Sequence, residues 1–162
     1  VQALEALGDE YGIYGFSGES RQSVEFYVAK ELGDRLTSQV WNAIAAMHSH
    51  RYTRMGTAIR HTIRKLERQD ARRKVMLVIS DGYPQDIDYG PERDDRDYGI
   101  HDTAQALREA ELAHIQTFCL TIDSAGHDYL RKMCPEGRYL ILEEVESLPV
   151  ELGKVYRSLT RS

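Results

Sequence analysis

The sequence predicts an α/β fold: a doubly wound, mostly parallel sheet flanked by helices. Three observations carry this. Val75-Met76-Leu77-Val78-Ile79 is a continuous aliphatic run without polar alternation, the pattern of a strand buried on both faces of a parallel sheet. Beyond residue 37 the expected order is helix, helix, strand, helix, strand, helix, strand, helix, which argues for right-handed crossovers between parallel strands. The aliphatic run ends abruptly in Ser80-Asp81-Gly82, so Asp81 stands at the carboxyl end of a strand, where open α/β sheets hold ligands.

Taken in order, Val1 to Leu7 reads as the tail of an amphipathic helix stopped by Gly8. Such a helix with no visible start suggests a single domain, 1–162, that is a carboxy-terminal segment of a longer polypeptide. Tyr11 to Phe16 and Val24 to Ala29 are short strands, with Ser17 to Ser20 as the turn of a hairpin. Thr37 to Met47 is a helix, with Val40, Trp41, Ile44 and Met47 near helical spacing. A polar loop from His48 to Thr57 precedes a second helix to Gln69, with Ile59, Ile63 and Leu66 on one face. Its opposite face, with Arg60, Arg64, Lys65 and Arg68, is basic and reads as solvated; docking to an acidic surface is the alternative.

After the central strand comes a long loop, Tyr83 to Tyr98, of a length that is usually functional or mobile. The stretch Asp81 to Asp102 holds eight acidic residues against Arg93 and Arg96. Ile100 to His114 is a third helix and Ile115 to Ile122 a strand ending in Asp123. A short helix from His127 to Met133, a strand from Tyr139 to Leu142 and a last helix starting near Pro149 complete the chain.

The totals bound the function. A chain of 162 residues, 41% hydrophobic and 29% charged, has soluble-globular composition. A formal net charge of -5 argues against generic nucleic-acid binding. No apolar run reaches membrane-span length. Cys119 and Cys134 make no CxxC pair, so a reducing cytoplasm is the expectation. No phosphate-cradling G-x-x-x-x-G-K-[ST] occurs, so any ATPase belongs to a partner. His48-x-His50 lacks further ligands at zinc spacing. His101 and His114 bracket a helix as cap or surface residues. The His127-Asp128 pair lacks a nucleophile, since Ser17 is not in a G-x-S-x-G elbow.

A hydroxyl facing a carboxylate can hold a hard divalent cation, because magnesium takes oxygen ligands and keeps some waters. With few carboxylates around it, the cation keeps affinity for a foreign acid group. Helix capping or a turn is the alternative role for Thr53.

Ser80-Asp81-Gly82, with Tyr52-Thr53-Arg54-Met55-Gly56-Thr57-Ala58-Ile59, resembles the von Willebrand factor A domain. By that resemblance Thr53 and Asp81 are ligands of a metal-ion-dependent adhesion site for Mg2+ (or Mn2+ or Ca2+). The family's D-x-S-x-S element, on the first central strand, does not occur in residues 1–162, so that mid-sheet strand is expected to be missing here. A narrower resemblance rests on an ordered series. It comprises Asp81-Gly82-x-Pro84-x-Asp86, Tyr98-Gly99-Ile100-x-Asp102-Thr103, Phe118 to Asp123, Gly126 to Leu130, and Leu148-Pro149 with Val155 to Thr160. This is similar to the carboxy-terminal domain of the NorD and CbbO proteins. It implies a hexameric MoxR-class AAA+ ATPase as partner and a client enzyme, nitric oxide reductase or Rubisco, that offers an acidic residue.

Tyr83, Asp86, Asp88, Tyr89, Arg93, Asp94 and Asp95 are the expected partner contacts, tyrosine combining apolar area with a polar tip. The expected role is a non-catalytic adaptor. The alternatives are a magnesium-dependent hydrolase using Asp81 and Asp123, and a structural module with a vestigial metal site.

Overall fold

The computed structural model describes all residues except 2, 3, 6, 7, 48–51, 87, 92–94, 161 and 162. The expected amino-terminal helix, the His48-x-His50 pair, Arg93 and Asp94 therefore fall wholly or partly outside the described residues.

Strands β1 (Ile13–Glu19) and β2 (Ser23–Lys30) form an antiparallel hairpin, with Glu19 opposite Ser23 and a register shift at Ile13/Tyr14. The ladder runs through Ser17 to Glu19, which the sequence reading assigned to the turn. The turn is instead Ser20 to Gln22, with Ser20 at φ 69° and its hydroxyl accepting the Gln22 amide at 3.3 Å. A distant carboxylate, Asp86, also accepts the Ser20 amide at 2.9 Å.

Thr37 caps helix α1 (Ser38–Ala45), its hydroxyl accepting the Val40 amide. Helix α2 (Met55–Glu67) leads to β3 (Lys74–Ser80). Helix α3 spans Arg96–Leu112, four residues earlier than expected from Ile100, because the Asp95 carboxylate accepts the Tyr98 amide as N-cap. The glycine at 99 argues against helix by propensity. It is required because a Cβ there would sit 2.0 Å from the Pro84 carbonyl oxygen. Strand β4 (Ile115–Thr121), helix α4 (Gly126–Met133), β5 (Tyr139–Ile141), a 3-10 turn (Val145–Ser147) and helix α5 (Leu148–Thr160) follow.

Strands β3, β4 and β5 form a parallel sheet in that order, with Lys74 opposite Ile115, Ser80 opposite Thr121, and Cys119 opposite Tyr139. Helices cover both faces. Met76, Val78 and Cys119 pack with Met55, Ile59, Leu107 and Leu130 of α2, α3 and α4. Phe118 and Leu120 pack with Val155 and Leu159 of α5. This is the α/β architecture expected from the alternation of elements.

The hairpin and the parallel sheet are separate. Among the described residues the edge of β3 away from β4 has no strand partner. The aliphatic run is accordingly less buried than its pattern implies. Met76 and Val78 are buried, Val75 and Leu77 half-buried, and Ile79 is 47% exposed.

The Gly99 contact makes a stability prediction. Gly99→Ala must push the Pro84 carbonyl away and should cost about 3 kcal/mol, as overpacking does. Gly82→Ala, with open space around its Cβ position, should stay within roughly 1 kcal/mol of the parent. Urea unfolding followed by circular dichroism checks both.

Candidate functional site

At the carboxyl end of β3, on the rim of the sheet, a turn leads into the segment that meets the Thr53 loop. Ser80 closes the turn after β3, its hydroxyl donating to the Gly82 carbonyl at 3.0 Å. Asp81 is exposed and Thr53 half-buried. The Thr53 amide donates to the Gln85 carbonyl at 2.9 Å, which sets the Thr53 loop beside the segment that follows Asp81. Among the described residues, neither the Thr53 hydroxyl nor the Asp81 carboxylate takes part in a side-chain hydrogen bond or ion pair. Both oxygens are thus available to a ligand. No group of three or more His, Cys, Asp or Glu gathers among the described residues.

Asp123 stands on the same rim, because Ser80 and Thr121 are paired across β3 and β4. Its carboxylate is already used: Oδ1 accepts the Ala125 amide at 2.9 Å. Asp123 also bears on Tyr129, whose hydroxyl is pushed up to about 12, by burial first. His127 Nδ1 lies 3.0 Å from the Tyr139 hydroxyl, His101 and His114 are exposed, and Ser17 is buried in β1.

Within the acidic segment, Asp86 and Tyr89 form a buried junction. Asp86, expected as a partner contact, is only 1% exposed. Its carboxylate accepts from the Ser20 amide and from Nε of Arg54, itself buried. Asp88 accepts from the Arg21 amide at 3.1 Å and from an Nη of Arg54. It remains exposed. Tyr89, also expected at the partner surface, is 3% exposed. The Arg54 guanidinium lies 4.8 Å from its ring centre, and its hydroxyl donates to Asp102. Burial, then the Asp102 carboxylate, raises the Tyr89 hydroxyl above its ordinary pKa. Tyr83 is half-buried against Tyr129, ring centres 4.2 Å apart, with Arg96 over it at 5.2 Å. Asp95 caps α3 through Oδ1.

Asp86 and Tyr89 are therefore corrected from surface contacts to buried ties. An acidic side chain flanked by turn residues looks solvated in sequence. The distant arginine that draws it inside is not readable from spacing.

Sequence reasoning missed the cations of this junction. Arg54 had no role beyond its place in the Thr53 loop. Arg60, read as part of a solvated face, donates to Asp102 and to Glu109, both at 2.8 Å. The glycine at 56 was a usable signal: a Cβ there would lie 2.1 Å from Asp102 Oδ2 and 3.0 Å from the Tyr89 hydroxyl. That close approach is why α2, the loop and α3 meet where they do.

The chain matches the family model for the von Willebrand factor type A domain over residues 1–153. It is 38% identical to a Pseudomonas aeruginosa protein named Uncharacterized protein PA0525, over 99% of this chain and 26% of that protein. It is 36% identical to Protein NorD of Stutzerimonas stutzeri, over 88% of this chain and 23% of the relative. Protein NorD of Brucella melitensis is 31% identical, over 98% and 24%. The chain thus spans about a quarter of the length of the curated relatives it matches. No solved structure matches.

Removing Asp86 leaves the buried Arg54 guanidinium with Asp88, a more exposed carboxylate, as its partner. Asp86→Ala should cost about 3–5 kcal/mol, the range for breaking a buried ion pair. The Ser20 amide should lose its protection in hydrogen exchange in Asp86→Ala, whereas Asp86→Asn, which keeps an Oδ1 acceptor, should retain part of it. Full protection in a folded Asp86→Ala variant would mean that Asp86 does not hold the hairpin turn.

Proposed function

The chain belongs to the von Willebrand factor type A domain family, and from that premise we propose that it is a non-enzymatic recognition module. It couples a MoxR-class AAA+ ATPase to a client enzyme. The relatives named NorD support nitric oxide reductase, rather than Rubisco, as that client. No described helix is long and apolar enough to cross a membrane. The free cysteines Cys119 and Cys134 suit a reducing cytoplasm, where the proposal places the work.

The observation that supports the reading is the Thr53–Gln85 backbone bond, which ties the Thr53 loop to the segment that follows Asp81. Their donor set fits a hard cation. Both donors are oxygens, neither is used elsewhere among the described residues, and together they bring one negative charge. Thr53 and Asp81 would hold magnesium, with manganese or calcium as substitutes. When bound, the ion supplies an electron-poor seat for a carboxylate offered by the client. The chain's own part is to fix the two donors. Gln85 anchors the backbone of Thr53, and the Ser80–Gly82 turn holds Asp81 outward.

A hydrolase using Asp81 and Asp123 draws on the same rim. Oδ1 of Asp123 already accepts the Ala125 amide, so that oxygen is committed to the turn.

In the full-length protein, Asp81→Ala should leave folding unchanged by circular dichroism and cut activation of nitric oxide reductase at least tenfold in a reconstitution with the cognate ATPase. Equal activation by the parent and the variant would remove Asp81, and any cation on it, from the mechanism. Phosphate- or ester-hydrolase turnover by the purified protein, lost in Asp81→Asn, would favour the enzyme.

A further inference from the structure

A cavity of about 320 Å³ lies against Arg54. Its lining includes Arg21, Arg54, Arg60, Asp88, Asp102 and Tyr98. Three guanidiniums and two carboxylates thus share it, with Asp86 and Glu109 also bound to Arg54 and Arg60. We propose that this cavity is a second, metal-independent recognition site, which seats the carboxylate of an aspartate or glutamate side chain on a partner protein.

Donor accounting supports an anion. A guanidinium carries five N–H donors. Arg54 uses Nε on Asp86 and one Nη on Asp88. Arg60 is turned to Asp102 and Glu109. Arg21 is the least engaged of the three. Its side chain is 80% exposed, and its Nε makes a long ion pair with Asp88 Oδ2 at 3.9 Å, beyond hydrogen-bond range. Four carboxylates, Asp86, Asp88, Asp102 and Glu109, balance the charge, and the donors open to a further acceptor are those of the Arg21 guanidinium.

The thirteen-residue helix α2 adds to this field. Its N-cap, Arg54, makes no side-chain cap bond, and Thr57 of its first turn lines the cavity. The positive end of the helix dipole acts on that space.

The lining points to a protein as the source. Tyr98 is 45% exposed and Pro91 is exposed beside it. An aromatic and a rigid apolar residue next to a charged seat are the composition of an interface, with arginine and tyrosine as anchors. The planar fork of arginine matches a carboxylate in two-point contact. Asp88 and Asp102 supply repulsion that disfavours multiply charged small anions over a single carboxylate.

The site is independent of the metal reading, since it uses neither Asp81 nor the Thr53 hydroxyl. The test uses the full-length protein and fluorescein-labelled hexaglutamate, followed by anisotropy. Binding should persist in EDTA and in Asp81→Ala. It should weaken at least tenfold in Arg21→Gln and recover in part in Arg21→Lys. The double variant Arg64→Gln/Arg68→Gln, on the exposed face of α2, should bind like the parent. Five results would overturn the proposal: no binding; parent-like binding by Arg21→Gln; loss of binding in EDTA or Asp81→Ala; loss in the α2-face variant equal to that in Arg21→Gln; and displacement of the peptide by sub-millimolar inorganic phosphate, which would mark a small-anion site. Loss on Asp81→Ala with normal Arg21→Gln binding would place recognition at the rim instead.

Discussion

The buried ion pair between Arg54 and Asp86 is the constraint on which the rest of the rim depends. Taking two charges out of water is costly, and the attraction between them offsets this only when further hydrogen bonds complete the geometry. Here they do. Asp86 also accepts the Ser20 amide, and Arg54 reaches on to Asp88 and lies over the Tyr89 ring. Three segments remote in sequence meet at one carboxylate: the hairpin turn, the loop before α2 and the loop after β3. The hairpin has no strand pairing to the parallel sheet. Polar ties of this kind, with the Gly18–Tyr52 bridge, take that place among the described residues.

The same pair explains why a rim seat and a cavity lie so close. Thr53 and Arg54 are consecutive residues of the loop before α2, and each is tied down by a different group. The Thr53 amide is fixed to Gln85, and the Arg54 guanidinium is fixed to Asp86 one residue further along the same loop. Two backbone-adjacent residues are thus locked against two backbone-adjacent partners. Either seat can be perturbed by its own side chains, while both fail if the lock is broken.

Much of the fold was legible because it is written in local pattern. The apolar run of β3 and the alternation of helix and strand act within a few residues. Most of the misreadings share one physical cause. The hairpin turn and the burial of Asp86 and Tyr89 are each fixed by a contact from a distant segment: Asp86 to Ser20, Arg54 to Asp86, and Asp102 to Tyr89. The start of α3 is different, set by the local Asp95 cap ahead of a glycine that argues against helix. Local propensity favours solvent for an acidic loop, and tertiary pairing overrides it. Thr53 and Asp81 were legible only through resemblance to a family, because a threonine before a helix and an aspartate before a glycine are ordinary turn chemistry.

Strand β3 carries the remaining mismatch between pattern and structure. Its residues are apolar on both faces, the composition of a strand with neighbours on each side. Yet one edge is bare of strand partners among the described residues, and Ile79 is half exposed near the end that leads into Asp81. An edge strand normally shields itself with charge, proline or a bulge. From Val75 to Ile79 there is none of these. The sequence of β3 is therefore adapted to two-sided pairing, and its bare edge adjoins the rim that carries Thr53 and Asp81. A parallel strand paired there would end at the same rim as β3 and β4, with its terminal side chains on the Asp81 side of the sheet. The sparse donor set at the rim and the bare edge of β3 are then two aspects of one geometry, because both concern what lies on the same side of Asp81.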